Sequence, residues 1–176
     1  SFGRNERSAT GDHFGWHPAT GPAVDQREGH AFVNNLLVAS DTYRRPLLQF
    51  EQPSSLCAKL QRPQAREVDG NVYVRATAAA GAVVLPLIVW SPTASDGCVS
   101  TLGSLEAFRK LAPTFEVHGQ QLDHTPRSIL KGPDLDRYEL LQTLPGTRET
   151  IPEGVRKLLN WSEEDAKSPG AYPYRR

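Results

Sequence analysis

Methionine is missing from this sequence altogether, cysteine occurs only twice, and the apolar stretches are short and broken. The chain begins at Ser1, no signal peptide is visible, and no Met occurs anywhere. We therefore expect a mature chain, a proteolytic piece or a fragment. The longest apolar run, Ala76 to Trp90, is interrupted by Thr77, Gly81 and Pro86, so no membrane span is expected. An excess of either charge is lacking too: 20 Lys and Arg face 20 Asp and Glu. Non-specific nucleic-acid binding needs a basic face, so nucleic acid is not an expected partner. CxxC, HExxH and G-x-S-x-G motifs are absent, and no phosphate-cradling glycine loop precedes a helix. These absences disfavour thiol redox enzymes, zinc proteases, serine hydrolases and P-loop enzymes. His13 and His17 stand at helical ligand spacing, but Gly15 and Pro18 oppose a helix there. No metal site or other cofactor is expected. Cys57 and Cys98 are the disulfide candidate, with two buried thiols as the alternative. A bridge between them would stabilise the fold by about 4 kcal/mol on the chain-entropy model.

Turn residues are plentiful. With 14 Gly, 14 Pro and 38% apolar residues, the chain should consist of many short elements around one core. Residues 1 to 29 are polar and punctuated by Gly3, Gly11, Gly15, Pro18, Gly21, Pro22 and Gly29. They read as a loop-rich N-terminal segment, either a functional loop or the severed edge of something longer.

Two similar halves follow. The first is Phe32-Val-Asn-Asn-Leu-Leu-Val38, a turn-rich gap, then Pro46-Leu-Leu-Gln-Phe-Glu-Gln-Pro53. The second is Val68-Asp-Gly-Asn-Val-Tyr-Val74, an Ala/Gly-rich gap, then Pro86-Leu-Ile-Val-Trp-Ser-Pro92. Asn35 matches Asn71 at a spacing of 36, and Pro46 matches Pro86 at a spacing of 40. Self-similarity at such a period points to stacked repeats, the alternative being two unrelated hairpins of a β-sandwich. Asn tolerates the left-handed backbone of a sharp corner. Stacked Asn side chains can also hydrogen-bond from one copy to the next. Phe50 and Trp90 occupy matching positions and read as core residues.

Ser104-Leu-Glu-Ala-Phe-Arg-Lys-Leu111 should be a helix, with Ser104 as N-cap and Leu105, Phe108 and Leu111 as its apolar stripe. Short strands are expected at Phe115–Val117, Ser128–Leu130 and Arg137–Leu141, and a second helix from Pro152 to Trp161.

This order of elements resembles the C-terminal end of right-handed parallel β-helix proteins of the pectin-lyase-like superfold. The resemblance is carried by Phe32-Val-Asn-Asn-Leu-Leu-Val38, by Asp69-Gly-Asn-Val-Tyr73 followed by the Ser104-Leu-Glu-Ala-Phe108 helix and the Tyr138-Glu-Leu140 strand, and by Pro169-Gly-Ala-Tyr172. It covers roughly residues 30 to 175. It implies a mainly β fold: parallel β-helix rungs over residues 30–176, with two short helices near the C-terminus. It also implies a secreted, carbohydrate-active protein, either a glycoside hydrolase or a polysaccharide lyase. The alternative is a non-catalytic segment that binds glycan or caps a longer β-helix. The implied partners are a polysaccharide or oligosaccharide and the N-terminal remainder of that longer solenoid.

Glycosidases flank the scissile bond with two carboxyl groups. Asp25 and Glu28 are the candidate carboxylates, and His30 is the candidate acid or base beside them. Trp16, His17 and Tyr43 are candidate sugar-binding residues; Arg44 and Arg45 could grip carboxylates by bidentate hydrogen bonds. The alternative for all of them is a polar, solvated loop and an ordinary charged turn.

Overall fold

In the computed structural model, the described residues are 2–3, 29–77, 83–135, 137–144, 153–163, 165 and 170. The matched halves each fold as two short strands separated by a corner. In the first, β2 (His30–Val33) and β3 (Leu36–Val38) flank Asn34; in the second, β5 (Ala65–Asp69) and β6 (Val72–Val74) flank Gly70. Both corners have left-handed backbone, with φ of 58° at Asn34 and 66° at Gly70. These are the residue types that adopt that conformation at least strain. The Pro-led segments become β4 (Leu48–Glu51) and β7 (Ile88–Trp90).

The copies pair strand for strand in parallel. Phe32 lies beside Val68, Leu36 beside Val72, and Leu48 beside Ile88. Parallel pairing sets aside the antiparallel sandwich. Between the copies, the Asn71 Oδ1 accepts from both the Asn35 backbone N–H and its side-chain amide, each at 2.8 Å.

The remaining strands are β1 (Phe2–Gly3), β8 (Ser100–Leu102), β9 (Gln120–Leu122), β10 (Leu130–Gly132) and β11 (Arg137–Leu140). Among the described residues, the strands form four small sheets: β1-β4-β7-β8, β2-β5, β3-β6-β9 and β10-β11. The right-handed parallel β-helix expected from the sequence is therefore not the fold. Among the described residues, strands of two to five residues are divided among separate sheets of two to four strands, with no solenoid of stacked rungs. The physical reason is visible at three places. The gap between the paired strands is longer in the second copy than in the first, so successive coils are unequal. After β7 the chain turns at Asp96–Cys98 and β8 runs back antiparallel, with Trp90 opposite Ser100. The β10-β11 pair is a separate antiparallel hairpin.

Helix α1 (Leu105–Leu111) forms where expected. The Ser104 hydroxyl accepts from the Ala107 N–H at 3.1 Å, and Leu105 and Phe108 are buried. Two expected strands are corrected. Phe115–Val117 is a bend, because Glu116 is left-handed with φ of 51°. Ser128–Leu130 is mostly the helical turn α2 (Pro126–Ile129), started by Pro126. Helix α3 (Glu153–Leu158) is shorter than predicted. The proposed closing strand at Pro169–Tyr172 lies outside the described residues apart from Gly170, whose N–H donates to the Asn34 carbonyl at 3.0 Å.

Strand β6 is buried on both faces and joins two cores. Tyr73 faces a cluster with Phe50, Trp90, Leu105 and Phe108. Val72 and Val74 face Ile129, Leu130, Leu140 and Leu144. Strand alternation requires this split. Trp90 meets Phe50 and Phe108 edge-on, with ring centroids 5.1 and 5.0 Å apart. Cys57 and Cys98 are joined in a disulfide, with Cα atoms 6.0 Å apart. Among the described residues, no helix is long and apolar enough to cross a membrane.

Candidate functional site

The sheet β3-β6-β9 is parallel, so all three strands leave it at the same edge. Backbone bonding continues past the strand ends: the Ala39 N–H donates to the Val74 carbonyl at 2.9 Å and the Arg75 N–H to the Leu122 carbonyl at 3.1 Å. The segments that follow line two clefts. The first encloses about 210 Å³ and has Asp41, Tyr43 and Arg44 on one side, with Arg75 and Thr77 on the other. The second encloses about 470 Å³ and also uses Arg75 and Thr77, together with Ser104, Gln120, Gln121 and Asp123.

Arg75 is the residue common to both clefts that carries charge. Its guanidinium donates to the Pro86 carbonyl at 2.5 Å and to the Arg45 carbonyl at 2.6 Å. Its buried Nε–H has no acceptor among the described residues. It lies 5.9 Å from the centre of the Tyr43 ring. Neither Arg75 nor Arg44 has a carboxylate partner among the described residues. Burial pushes the Arg75 pKa down from its ordinary value, Tyr43 works against that, and the charge of Arg44 adds to it. Two neighbouring cations, one of them partly desolvated, form a local surplus of positive charge. Among the described residues, Asp41 is the one carboxylate that lines the first cleft.

A second polar cluster is buried behind this edge. The side chain of Glu116 is fully buried, and its carboxylate accepts from the Tyr73 hydroxyl at 2.6 Å and from the Asn71 side-chain amide at 2.6 Å. The Asn71 backbone N–H is a third donor at 3.3 Å. Burial lifts the Glu116 pKa above its ordinary value against the pull of these hydrogen bonds, and the nearby Asp69 charge adds to the rise. Asp69 accepts from the His118 backbone N–H at 2.8 Å and contacts His118 Nδ1 at 2.8 Å. Burial raises its pKa as well, but the hydrogen bonds from His118 and Gly70 outweigh it and leave the carboxyl below its ordinary value. Arg109 Nε donates to the Glu116 carbonyl at 2.6 Å, and its guanidinium also bonds the Gly119 carbonyl. The cluster thus pins the loop 113–119 onto the β5-β6 corner. His118 is a carboxylate-oriented imidazole, the geometry of a general acid or base, yet it lines neither cleft. We read this cluster as structural.

Of the residues predicted from sequence, Tyr43 and Arg44 line the first cleft, and Arg45 contributes its carbonyl to Arg75. His30 stands apart on β2, exposed, with Nε2 3.4 Å from the Gln64 amide. Asp25, Glu28, Trp16 and His17 lie outside the described residues. Sequence reasoning missed Arg75, Glu116 and the pair Asp69 and His118. The glycoside hydrolase or lyase reading no longer has the fold that carried it, and nothing in the described residues marks the chain as carbohydrate-active. Among the described residues, no group of three His, Cys, Asp or Glu is placed to hold a metal ion. The chain matches no family model, no curated protein and no solved structure.

Proposed function

We propose that this chain is a binding module that takes a small ligand by its carboxylate in the cleft formed by Tyr43, Arg44 and Arg75. The observation that carries the reading is the state of Arg75. Its guanidinium is fixed by the carbonyls of Pro86 and Arg45 and has no carboxylate partner among the described residues. A cation held in place without a counter-charge loses little freedom when an anion arrives. Arg44 beside it supplies a second set of donors suited to a carboxylate. Tyr43, partly exposed on the same wall, offers an apolar face on which the body of such a ligand can pack. The disulfide supports an oxidising, extracellular or periplasmic setting in which such ligands occur.

The test is titration calorimetry with glucuronate, galacturonate and glucose, on the native chain and on Arg44→Ala and Arg75→Gln. The uronates should bind and glucose should not. Each variant should weaken uronate binding about tenfold or more, the size of one lost charge-assisted hydrogen bond. Equal affinity for glucose and glucuronate would remove the basis for this function.

A further inference from the structure

We propose that Asn160 is an acceptor for an N-linked glycan, its side-chain amide taking one oligosaccharide as the chain passes through an oxidising secretory lumen. The proposal is independent of the carboxylate cleft. The chain has five asparagines, and only Asn160 is followed two residues on by Ser or Thr: Asn160-Trp-Ser162, with no Pro between. The disulfide between Cys57 and Cys98 is a second, separate observation. Such bridges form in oxidising compartments, the lumen of the endoplasmic reticulum among them, where secreted asparagines meet the glycan transferase.

The fold keeps this position open. Asn160 lies just past helix α3, where its left-handed backbone, with φ of 53°, ends the helix. Its N–H donates to the Lys157 carbonyl at 3.1 Å and the Trp161 N–H to the Arg156 carbonyl at 3.0 Å, so backbone bonds hold the turn. The Asn160 side chain is exposed and, among the described residues, its amide has no hydrogen-bond partner. The amides of Asn35 and Asn71, by contrast, are spent inside the fold. No residue of α3 is buried, and Val155, Leu158 and Leu159 stand exposed on it and just past it. A bulky hydrophilic group at position 160 therefore meets solvent, beside apolar side chains that it would shield. The Ser162 hydroxyl donates to Asp165 Oδ2 at 2.9 Å and accepts from the Asp165 N–H at 3.1 Å. Folding thus commits the hydroxyl that the transferase needs, so transfer precedes the closing of this turn. In the transfer, the Asn160 amide nitrogen attacks C1 of the first sugar of a lipid-linked oligosaccharide pyrophosphate. The bond from C1 to the pyrophosphate oxygen breaks, its electron pair leaves with the lipid pyrophosphate, and the amide gives up one proton to the transferase. No oxidant or reductant enters.

The test is cell-free translation of the chain, behind the cleavable signal peptide of a secreted protein, with microsomes from the endoplasmic reticulum. Chains sealed inside, and so protected from added protease, should include a slower-running form that peptide N-glycosidase returns to the faster mobility. Asn160→Gln and Ser162→Ala should abolish that form, and Ser162→Thr should retain it. Occupancy is set before folding, so none of these readouts depends on whether a variant folds. Protected chains that run only at the unmodified mobility, or a slower form that survives in Asn160→Gln, would overturn the assignment. The open position has its own test. The glycosylated, disulfide-bonded chain should melt no lower than the same chain made without the transferase. A glycan that lowers the melting temperature would mean that position 160 is closed in the native fold, and the assignment would fall.

Discussion

Gly119 and Glu116 compete for the same space, and a double-mutant cycle should expose their coupling. A methyl group added at Gly119 would lie 2.0 Å from Glu116 Oε2 and 2.9 Å from Cδ. A side-chain end usually yields to such an intrusion at little cost. This one is held by the Tyr73 hydroxyl and by two donors of Asn71, all in the buried interior. Gly119→Ala must therefore drive the carboxylate off its partners and leave the Tyr73 hydroxyl and the Asn71 N–H without acceptors. Each buried polar group so stranded costs about 1–3 kcal/mol, so the change should destabilise by roughly 3–5 kcal/mol. Glu116→Ala strands the same donors and should cost a similar amount, about 3–5 kcal/mol. Both Glu and Ala carry the same left-handed strain at φ of 51°, so that term cancels. With the carboxylate gone, the methyl introduced at position 119 meets the remaining Cβ of residue 116 at 3.2 Å, a contact that a small shift relieves. The double variant should then be about as stable as Glu116→Ala alone, so the coupling should equal the cost of Gly119→Ala, about 3–5 kcal/mol. Urea unfolding of the four proteins measures it from their midpoints and slopes. Additivity within about 0.5 kcal/mol would refute the claim that Gly119 is needed because Glu116 fills its space.

The two buried acids should give opposite pH dependences. Asp69 sits below its ordinary pKa, so its stabilisation is present above the unfolded value and is lost as pH falls through the folded value. Asp69→Asn should flatten the acid limb of melting temperature against pH, and an unchanged limb would contradict this. Glu116 sits above its ordinary value, so its contribution is full below the unfolded value and declines as pH rises through the folded one. Glu116→Gln should remove that decline, and a decline that persists would place its source elsewhere. Replacing both Cys57 and Cys98 by Ser opens a loop spanning 41 residues and should cost about 4 kcal/mol in urea unfolding. A loss below about 1 kcal/mol would mean that the unfolded chain is scarcely constrained by the bridge.

What could be read from the sequence was local and repeated. The asparagine match at a spacing of 36 is the register of β3 on β6, and the proline match at 40 is the register of β4 on β7. The Ser104 cap was legible because an N-cap is a property of four consecutive residues. The solenoid was not a sound extension of that match. Two copies in register say nothing about whether the chain goes on to stack or turns back, and at β8 it turns back. The candidate site was harder to see because it lies where the copies differ. Asp69 stands beside Val33, Tyr73 stands beside Leu37, and Arg75 follows Val74 where Ala39 follows Val38. At each of these positions the second copy replaces an apolar residue with one that ionises or hydrogen-bonds. Asp69 and Tyr73 receive the loop that carries Glu116 and His118, and Arg75 charges the clefts. Matching residues in a pair of repeats report the scaffold they share. The mismatches report what one copy must hold that the other need not, and reading them first would have singled out Arg75 without coordinates. Glu116 would still have escaped notice. Its burial comes from a left-handed bend 45 residues beyond its partner Asn71, which no local pattern encodes.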